Sequence, residues 1–171
     1  YLKGYAKVLQ GKMDEAEKNY LHVFNNAQDT LLKYRTALSM VNLKAFTREW
    51  ADGLNYIAYI ERNKDKISDT DIRHQGLIAV AIFYDLIEYH SVTIQYLESV
   101  VQQSSENRNL CVARGLLIKS KMMLEDSDDL KEDFNTAIDI CENVSENLLA
   151  NVFRAQLAVY LLKNDEGTQA L

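Results

Sequence analysis

The chain contains no proline in 171 residues and only 6 glycines. Proline removes a backbone donor and clashes inside a helix, and glycine is costly to order there, so long helical chains avoid both. Apolar residues recur at spacings of three and four almost throughout, and no sustained period-two run bounded by turn residues indicates a strand. The sequence therefore predicts an all-α fold.

Charge and hydropathy restrict the kinds of partner. The chain has 25 acidic and 19 basic residues, a net charge of -6, and no Lys/Arg cluster, which disfavours nucleic acid because phosphates require a basic face. No apolar run approaches the roughly 18 residues of a membrane span, and no signal peptide is recognisable. We expect no membrane contact by this segment. Because it begins at Tyr1 and ends just after a turn-like stretch at 164–167, we also expect it to belong to a longer protein.

Clusters of turn-forming residues predict about ten helices, the first and last incomplete. The predicted breaks are 10–11, 25–26, 47, 63–70, 89–91, 104–109, 126–129, 143–145 and 164–167. Side-chain oxygens at Thr47, Asp71, Ser127 and Ser145 are predicted N-caps, because the first N–H groups of a helix lack partners. The acidic run at 125–129 would then lie at a helix N-terminus, and it lacks the glycine and distal glutamate of an EF-hand.

The second helix of each successive pair repeats one spacing, with residues at i, i+4 and i+7. The first residue is small in three of the four sets, and the next is large. The sets are Ala16/Tyr20/Val23, Gly53/Ile57/Ile60, Thr93/Leu97/Val100 and Leu130/Phe134/Ala137. Their first residues lie 37, 40 and 37 positions apart. A period of this length with two helices is typical of an α-solenoid, in which no hairpin buries its apolar face alone.

These spacings resemble a tetratricopeptide repeat array. Gly4, Ala16 and Tyr20 fall at that family's glycine, small and aromatic positions in the first unit, and the third unit has Ala81 and Tyr84 at matching offsets. The resemblance implies a right-handed α-solenoid of antiparallel helix pairs, about four and a half repeats in a single domain over 1–171.

The chain departs from the usual repeat in several respects. Its units exceed the usual 34 residues or so, and the closing proline is absent. Trp50 stands where tyrosine is usual, and Arg114 where a large apolar residue is expected. These departures weaken the transfer of individual residue roles.

Three stretches are also similar to the divergent repeat region that precedes GGDEF diguanylate cyclase domains in some bacteria. They are YLKGYAKVLQGKMDEAE, DIRHQGLIAVAIFYDLIEYHSVTIQYL and CENVSENLLANVFRAQLAVYLLKND. This resemblance implies a sensory module, often periplasmic, that signals to a membrane-tethered cyclase making c-di-GMP. If that resemblance does not hold, we expect a cytoplasmic location.

The repeat resemblance also implies a concave groove lined by the first helix of each pair. The family's groove offsets fall on Tyr5, Arg35, Asn42, Gln75, Asp85 and Lys119. Their mixture of charges and amides suits a protein, a peptide or a small polar ligand. The alternative is that these six are ordinary solvated positions.

No catalytic or cofactor site is predicted. The chain has no Gly-x-Ser-x-Gly elbow, Walker loop or GxGxxG motif, and His22, His74 and His90 lack the spacing that places two metal ligands on one helix face.

Cys111 and Cys141 lie at equal distances from a break near 126, so an antiparallel hairpin would bring them to the same height. Two alternatives follow: a disulfide, or two reduced cysteines acting as small core residues.

The sequence therefore predicts a non-catalytic binding domain that regulates an attached GGDEF domain. Two alternatives are an effector-binding helical domain of an ATP-dependent transcription activator, and a passive assembly scaffold. In the scaffold, exposed apolar residues of a terminal repeat would drive self-association, and a homodimer is one outcome.

Overall fold

A computed structural model of the chain describes residues 1–103, 107–124 and 130–163. These residues form helices joined by short connections, with no strand among them, which confirms the all-α class. The helices are α1 Leu2–Leu9, α2 Met13–Asn26, α3 Thr30–Thr47, α4 Trp50–Asn63, α5 Thr70–Leu86, α6 His90–Gln103, α7 Asn107–Met123, α8 Lys131–Asn143 and α9 Asn147–Lys163. A short 3-10 turn, Lys64–Lys66, follows α4.

The sequence predicted the ends of the helices more accurately than it predicted their capping residues. Thr47 does not cap α4; it is the last residue of α3, and its hydroxyl donates to the Leu43 carbonyl over 3.1 Å. Asp71 lies in the first turn of α5, whose cap is Asp69, which accepts the Ile72 N–H over 3.1 Å.

The remaining cap predictions fall near α8 and α9. Ser145 adopts a left-handed φ of 62° before α9 begins, so it does not have the extended backbone of an N-cap. Ser127, the acidic run at 125–129 and the predicted turn at 164–167 lie outside the described residues.

The chain forms two compact units, Tyr1–Ile87 and Glu88–Leu171. The sequence predicted one domain over 1–171, and the boundary between the units falls between α5 and α6. In the first unit, α1 packs on α2, α2 on α3 and α3 on α4, while α5 packs chiefly on α3. In the second unit each helix packs on the next, and α9 also contacts α7.

Aromatic rings lie against helical glycines in the first unit. Gly4 faces the ring of Tyr20, Gly53 that of Phe83, and Gly76 that of Tyr34. Each glycine lets two helices approach closely enough for the ring to pack on backbone atoms. The Tyr34 hydroxyl also donates to the Arg73 carbonyl over 3.3 Å, which ties α3 to α5.

A buried cation holds three elements of the first unit together. Lys44 on α3 is 2% exposed, and its Nζ lies 2.6 Å from a carboxylate oxygen of Glu17 on α2 and 2.6 Å from one of Glu49, which precedes α4. Burial by itself lowers the pKa of Lys44, but the hydrogen bonds to the two carboxylates outweigh it, so the pKa lies above its ordinary value.

The second unit has a core formed by α7, α8 and α9. Phe134, Phe153 and Tyr160 belong to it, and the ring of Phe153 lies against Gly115. The Tyr160 hydroxyl accepts the Leu130 N–H over 3.2 Å, so a buried polar atom is paired.

The four repeated triplets mark buried positions. Every one of their twelve residues is buried except Val23, which is half-buried. The i, i+4, i+7 spacing therefore identifies the core-facing side of α2, α4, α6 and the start of α8.

Candidate binding groove

One face of α1 and one face of α3 meet in the first unit. Tyr1, the N-cap of α1, is followed at spacings of four and three by Tyr5 and Val8 within the helix, so the three lie on one side of it. Leu38, Asn42 and Phe46 follow at spacings of four along α3. These two faces enclose a groove.

The groove has a volume of about 370 Å³. It is lined by Tyr1, Tyr5, Val8, Met13, Tyr20, Leu38, Ser39, Asn42, Leu43 and Phe46. Tyr20 is 1% exposed, whereas Tyr5 and Phe46 are 52% and 72% exposed. Tyr20 thus forms the floor of the groove, and Tyr5 and Phe46 stand at its rim.

The floor is fixed by specific contacts. The ring centroids of Tyr1 and Tyr20 lie 5.9 Å apart, and the hydroxyl oxygens of Ser39 and Tyr1 lie within hydrogen-bond distance at 3.4 Å. A Cβ placed on Gly4 would lie 2.7 Å from Cε1 of Tyr20, so only glycine allows the ring to lie there without displacement. The ring of Tyr20 is therefore held from two sides.

The lining carries no charged side chain. Burial raises the pKa of Tyr20 and the Ser39 hydroxyl partly offsets this, so the phenol stays neutral at pH 7. The polar groups offered are the Asn42 amide, which both donates and accepts, and the hydroxyls of Ser39 and the tyrosines. An apolar pocket with a few such groups suits a ligand with a bulky apolar side chain and an amide beside it.

Two of the six predicted groove residues, Tyr5 and Asn42, line this cavity together. Arg35 is exposed on α3, seven residues before Asn42 and so on the same side of that helix. Its backbone carbonyl accepts the Ser39 hydroxyl over 3.1 Å. The guanidinium is not among the lining groups.

The other three predicted groove residues lie elsewhere. Gln75 is exposed on α5 and its amide donates to Asp71 over 2.8 Å. Asp85, at the end of the same helix, is only 7% exposed, so its carboxylate is enclosed by protein. Lys119 is exposed on α7, in the second unit.

Sequence reasoning did not predict the other eight lining residues as groove positions, among them Tyr1, Leu38, Ser39 and Phe46. Leu38 and Phe46 flank the predicted Asn42 at one helical turn on either side, and this apolar-amide-apolar spacing was the available signal. No local signal identified Tyr1 or Ser39, because their contact joins residues 38 positions apart.

The cysteine pair lies in the second unit. Cys111 on α7 and Cys141 on α8 are both fully buried and form a disulfide, with their Cα atoms 4.9 Å apart. Of the two arrangements that the sequence left open, the structure has the bonded one. The bridge ties the two helices of one hairpin.

Metal ligands do not converge in the described part of the chain, where no group of three or more His, Cys, Asp or Glu side chains is placed to hold an ion. Among the helices that the structure describes, none is long and apolar enough to cross a bilayer. His74 is buried on α5, and neither of its ring nitrogens has a hydrogen-bond partner.

Comparison with known proteins gives no assignment: no family model matches the chain, and no curated protein is significantly similar to it.

Proposed function

We propose that this chain is a non-catalytic helical-repeat module whose first unit binds a peptide in the groove between α1 and α3. The groove lined by Tyr5, Asn42 and Phe46 is the observation that carries the proposal. Its volume of about 370 Å³ fits one or two bulky apolar side chains. The Asn42 amide is placed to pair with the peptide backbone beside them.

In this proposal the helical hairpins stack as a right-handed α-solenoid of about four and a half repeats. The burial of the repeated triplets supports it, as does the packing of consecutive helices from α1 to α4 and from α6 to α9. Peptide occupancy would be signalled to an attached GGDEF domain, as the resemblance implies. Any sequence that follows Leu171 would distinguish this proposal from its alternatives. A transmembrane span and a GGDEF motif would support it, and a helix-turn-helix would favour the transcription activator.

The binding step is tested with a random 12-residue peptide library displayed on phage and selected against the 171-residue chain. We expect enriched peptides to share an aromatic or large aliphatic residue, and the single substitutions Tyr5→Ala and Asn42→Ala to weaken them about 10-fold or more each. Tyr5 and Asn42 are both exposed, so neither substitution should unfold the chain. Circular dichroism checks this.

Gln75→Ala is the matched control, because Gln75 is exposed in the same unit but does not line the groove. Peptides that bind all three variants as tightly as the unchanged chain would place binding elsewhere and contradict the proposal.

A further inference from the structure

The second unit carries an apolar stripe on α9. It consists of Leu148, Val152, Ala155, Val159 and Leu162, at successive spacings of 4, 3, 4 and 3 residues, so all five lie on one side of the helix. Leu148 is 77% exposed, Val152 42%, Val159 50% and Leu162 61%, and Ala155 is exposed as well. A row of five exposed apolar side chains about 21 Å long is uncommon on a monomer surface.

The stripe has a mirror-like order of side chains. Read from either end it is Leu, Val, Ala, Val, Leu, with Ala155 at its centre. A two-fold axis through Ala155 would therefore bring Leu148 of one copy opposite Leu162 of another, and Val152 to within one residue, about 1.5 Å along the helix, of Val159. Two-fold interfaces require this property, because residue i meets residue j at both symmetric places.

The charges on α9 fit the same arrangement. The helix has two charged residues, Arg154 and Lys163, and neither belongs to the stripe. An antiparallel pair would place Lys163 of one copy near Glu146 of the other, whereas a parallel pair would place the two Lys163 ammonium groups together. Antiparallel pairing is thus the charge-compatible one.

The centre of the stripe is concave and has one unsatisfied acceptor. A cavity of about 310 Å³ lies there, lined by Met122 of α7 and by Val152, Ala155, Gln156 and Val159. Oε1 of Gln156 is buried without a hydrogen-bond donor. Because Gln156 is next to the two-fold centre, its side chain would have to turn outward for this oxygen to accept from the Gln156 amide of a second copy.

We propose that α9 is a homodimerisation surface, on which a second copy of this chain packs antiparallel about Ala155. The small central side chain lets the helices approach, the valines fill the two cavities, and the leucines close the ends. This inference is independent of the peptide groove, which lies in the other unit. A five-residue stripe is small for a stable interface, so the expected affinity is micromolar.

Sedimentation velocity at protein concentrations from about 1 to about 200 µM tests dimerisation of the 171-residue chain. We expect a concentration-dependent shift from monomer to dimer. Val152→Lys alone and Val159→Glu alone should each weaken association on the order of 100-fold, because each places two unpaired charges in the interface. The double variant, with both substitutions in one chain, should recover association because the introduced charges of opposite sign face each other across the axis.

A cysteine cross-link tests the orientation. Ala155→Cys should form an intermolecular disulfide on mild oxidation, since the two copies meet at this residue. Leu148→Cys is the control: in an antiparallel pair its two copies are separated by about 21 Å and should not cross-link alone, but should do so when mixed with Leu162→Cys.

Several outcomes would overturn the proposal. A chain that stays monomeric throughout the concentration range, as when another segment or a different protein covers the stripe, refutes self-association. A dimer insensitive to Val152→Lys places the interface elsewhere, and self-cross-linking by Leu148→Cys means parallel pairing. Circular dichroism of each variant excludes unfolding as the cause of lost association.

Discussion

The ring of Tyr20 on α2 lies directly against the backbone of Gly4 on α1, where an added Cβ would come within 2.7 Å of Cε1. Tyr20 is also the floor of the groove that Tyr5 and Asn42 line. The first hairpin's stability and the shape of its groove therefore depend on the same contact.

Gly4→Ala is expected to destabilise the first unit by about 1 to 3 kcal/mol, because the ring or the helix must move to make room. Urea unfolding followed by circular dichroism measures this. Ala6→Ser, on the exposed side of α1, should change the free energy of unfolding by no more than about 0.5 kcal/mol. Equal values for the two variants would mean that the ring contact is not close.

Tyr20→Ala is expected to cost about 3 to 5 kcal/mol, in the range of large buried aromatic truncations. The measurement is the thermal midpoint together with urea unfolding. Tyr5→Ala, which truncates an exposed ring of the same groove, should cost less than about 1 kcal/mol. A thermal midpoint unchanged by Tyr20→Ala would remove the packing argument for the first repeat.

Lys44→Met should destabilise the chain by about 1 to 2 kcal/mol at pH 7, since it removes the cation that pairs with Glu17 and Glu49 while keeping most of the packing. The half-exposed Glu49 carboxylate regains water, which limits the cost. Lys64→Met is the matched control: its ion pair with Glu61 is partly exposed, and its loss should cost about 0.5 kcal/mol or less.

The unchanged chain should have a larger free energy of unfolding than Lys44→Met, and this difference should decrease both in acid and in base. Hydrogen bonds from Lys44 and Thr47 lower the pKa of Glu49, so its contribution is present above the ordinary carboxyl value of 4.5 and declines as pH falls below it. The pKa of Lys44 is raised, so its contribution is present below the ordinary value of 10.5 and is lost as pH rises through the folded-state pKa. A difference that stays constant from pH 3 to 11, or roughly so, would contradict this.

His74 should make the first unit less stable in acid. Burial, and then the nearby Arg73, lower its pKa in the folded state, and Asp71 offsets only part of this. The unfolded chain therefore takes up the proton first as pH falls below the ordinary value of 6.5, and the free energy of unfolding decreases. Urea titrations at pH 7.5 and 5.0 should show a smaller decrease for His74→Leu, whereas His22→Leu, at an exposed histidine, should retain the full decrease.

Reduction of the Cys111–Cys141 disulfide should destabilise the second unit by about 3 to 4 kcal/mol, the entropic value for a bridge spanning 30 residues. Both sulfurs are buried, so dithiothreitol should act slowly until denaturant is added. The double variant Cys111→Ala/Cys141→Ala should show the same loss without reductant. Two thiols titrated in the unreduced, denatured chain would contradict the disulfide.

Sequence alone determined the class, most helix ends and the buried face of each second helix, because these depend on residues a few positions apart. The ends at Thr47, Asn63 and Asn143 follow from local turn-forming residues. The triplet beginning at Ala16 is buried because helical spacing fixes which side chains share a face. The equal distances of Cys111 and Cys141 from the break predicted near 126 likewise indicated that the two residues face each other, and they do.

Only the tertiary structure decided which helix faces form a groove. Tyr5 and Asn42 line one cavity because α1 and α3 both pack on α2, where Gly4 and Tyr20 set how closely α1 approaches, and Tyr1 joins them through Ser39, 38 residues away. The burial of Asp85 and the pairing of Lys44 with Glu17 are decided in the same way. Each depends on the distance and angle between helices, which side-chain packing sets and no local spacing encodes.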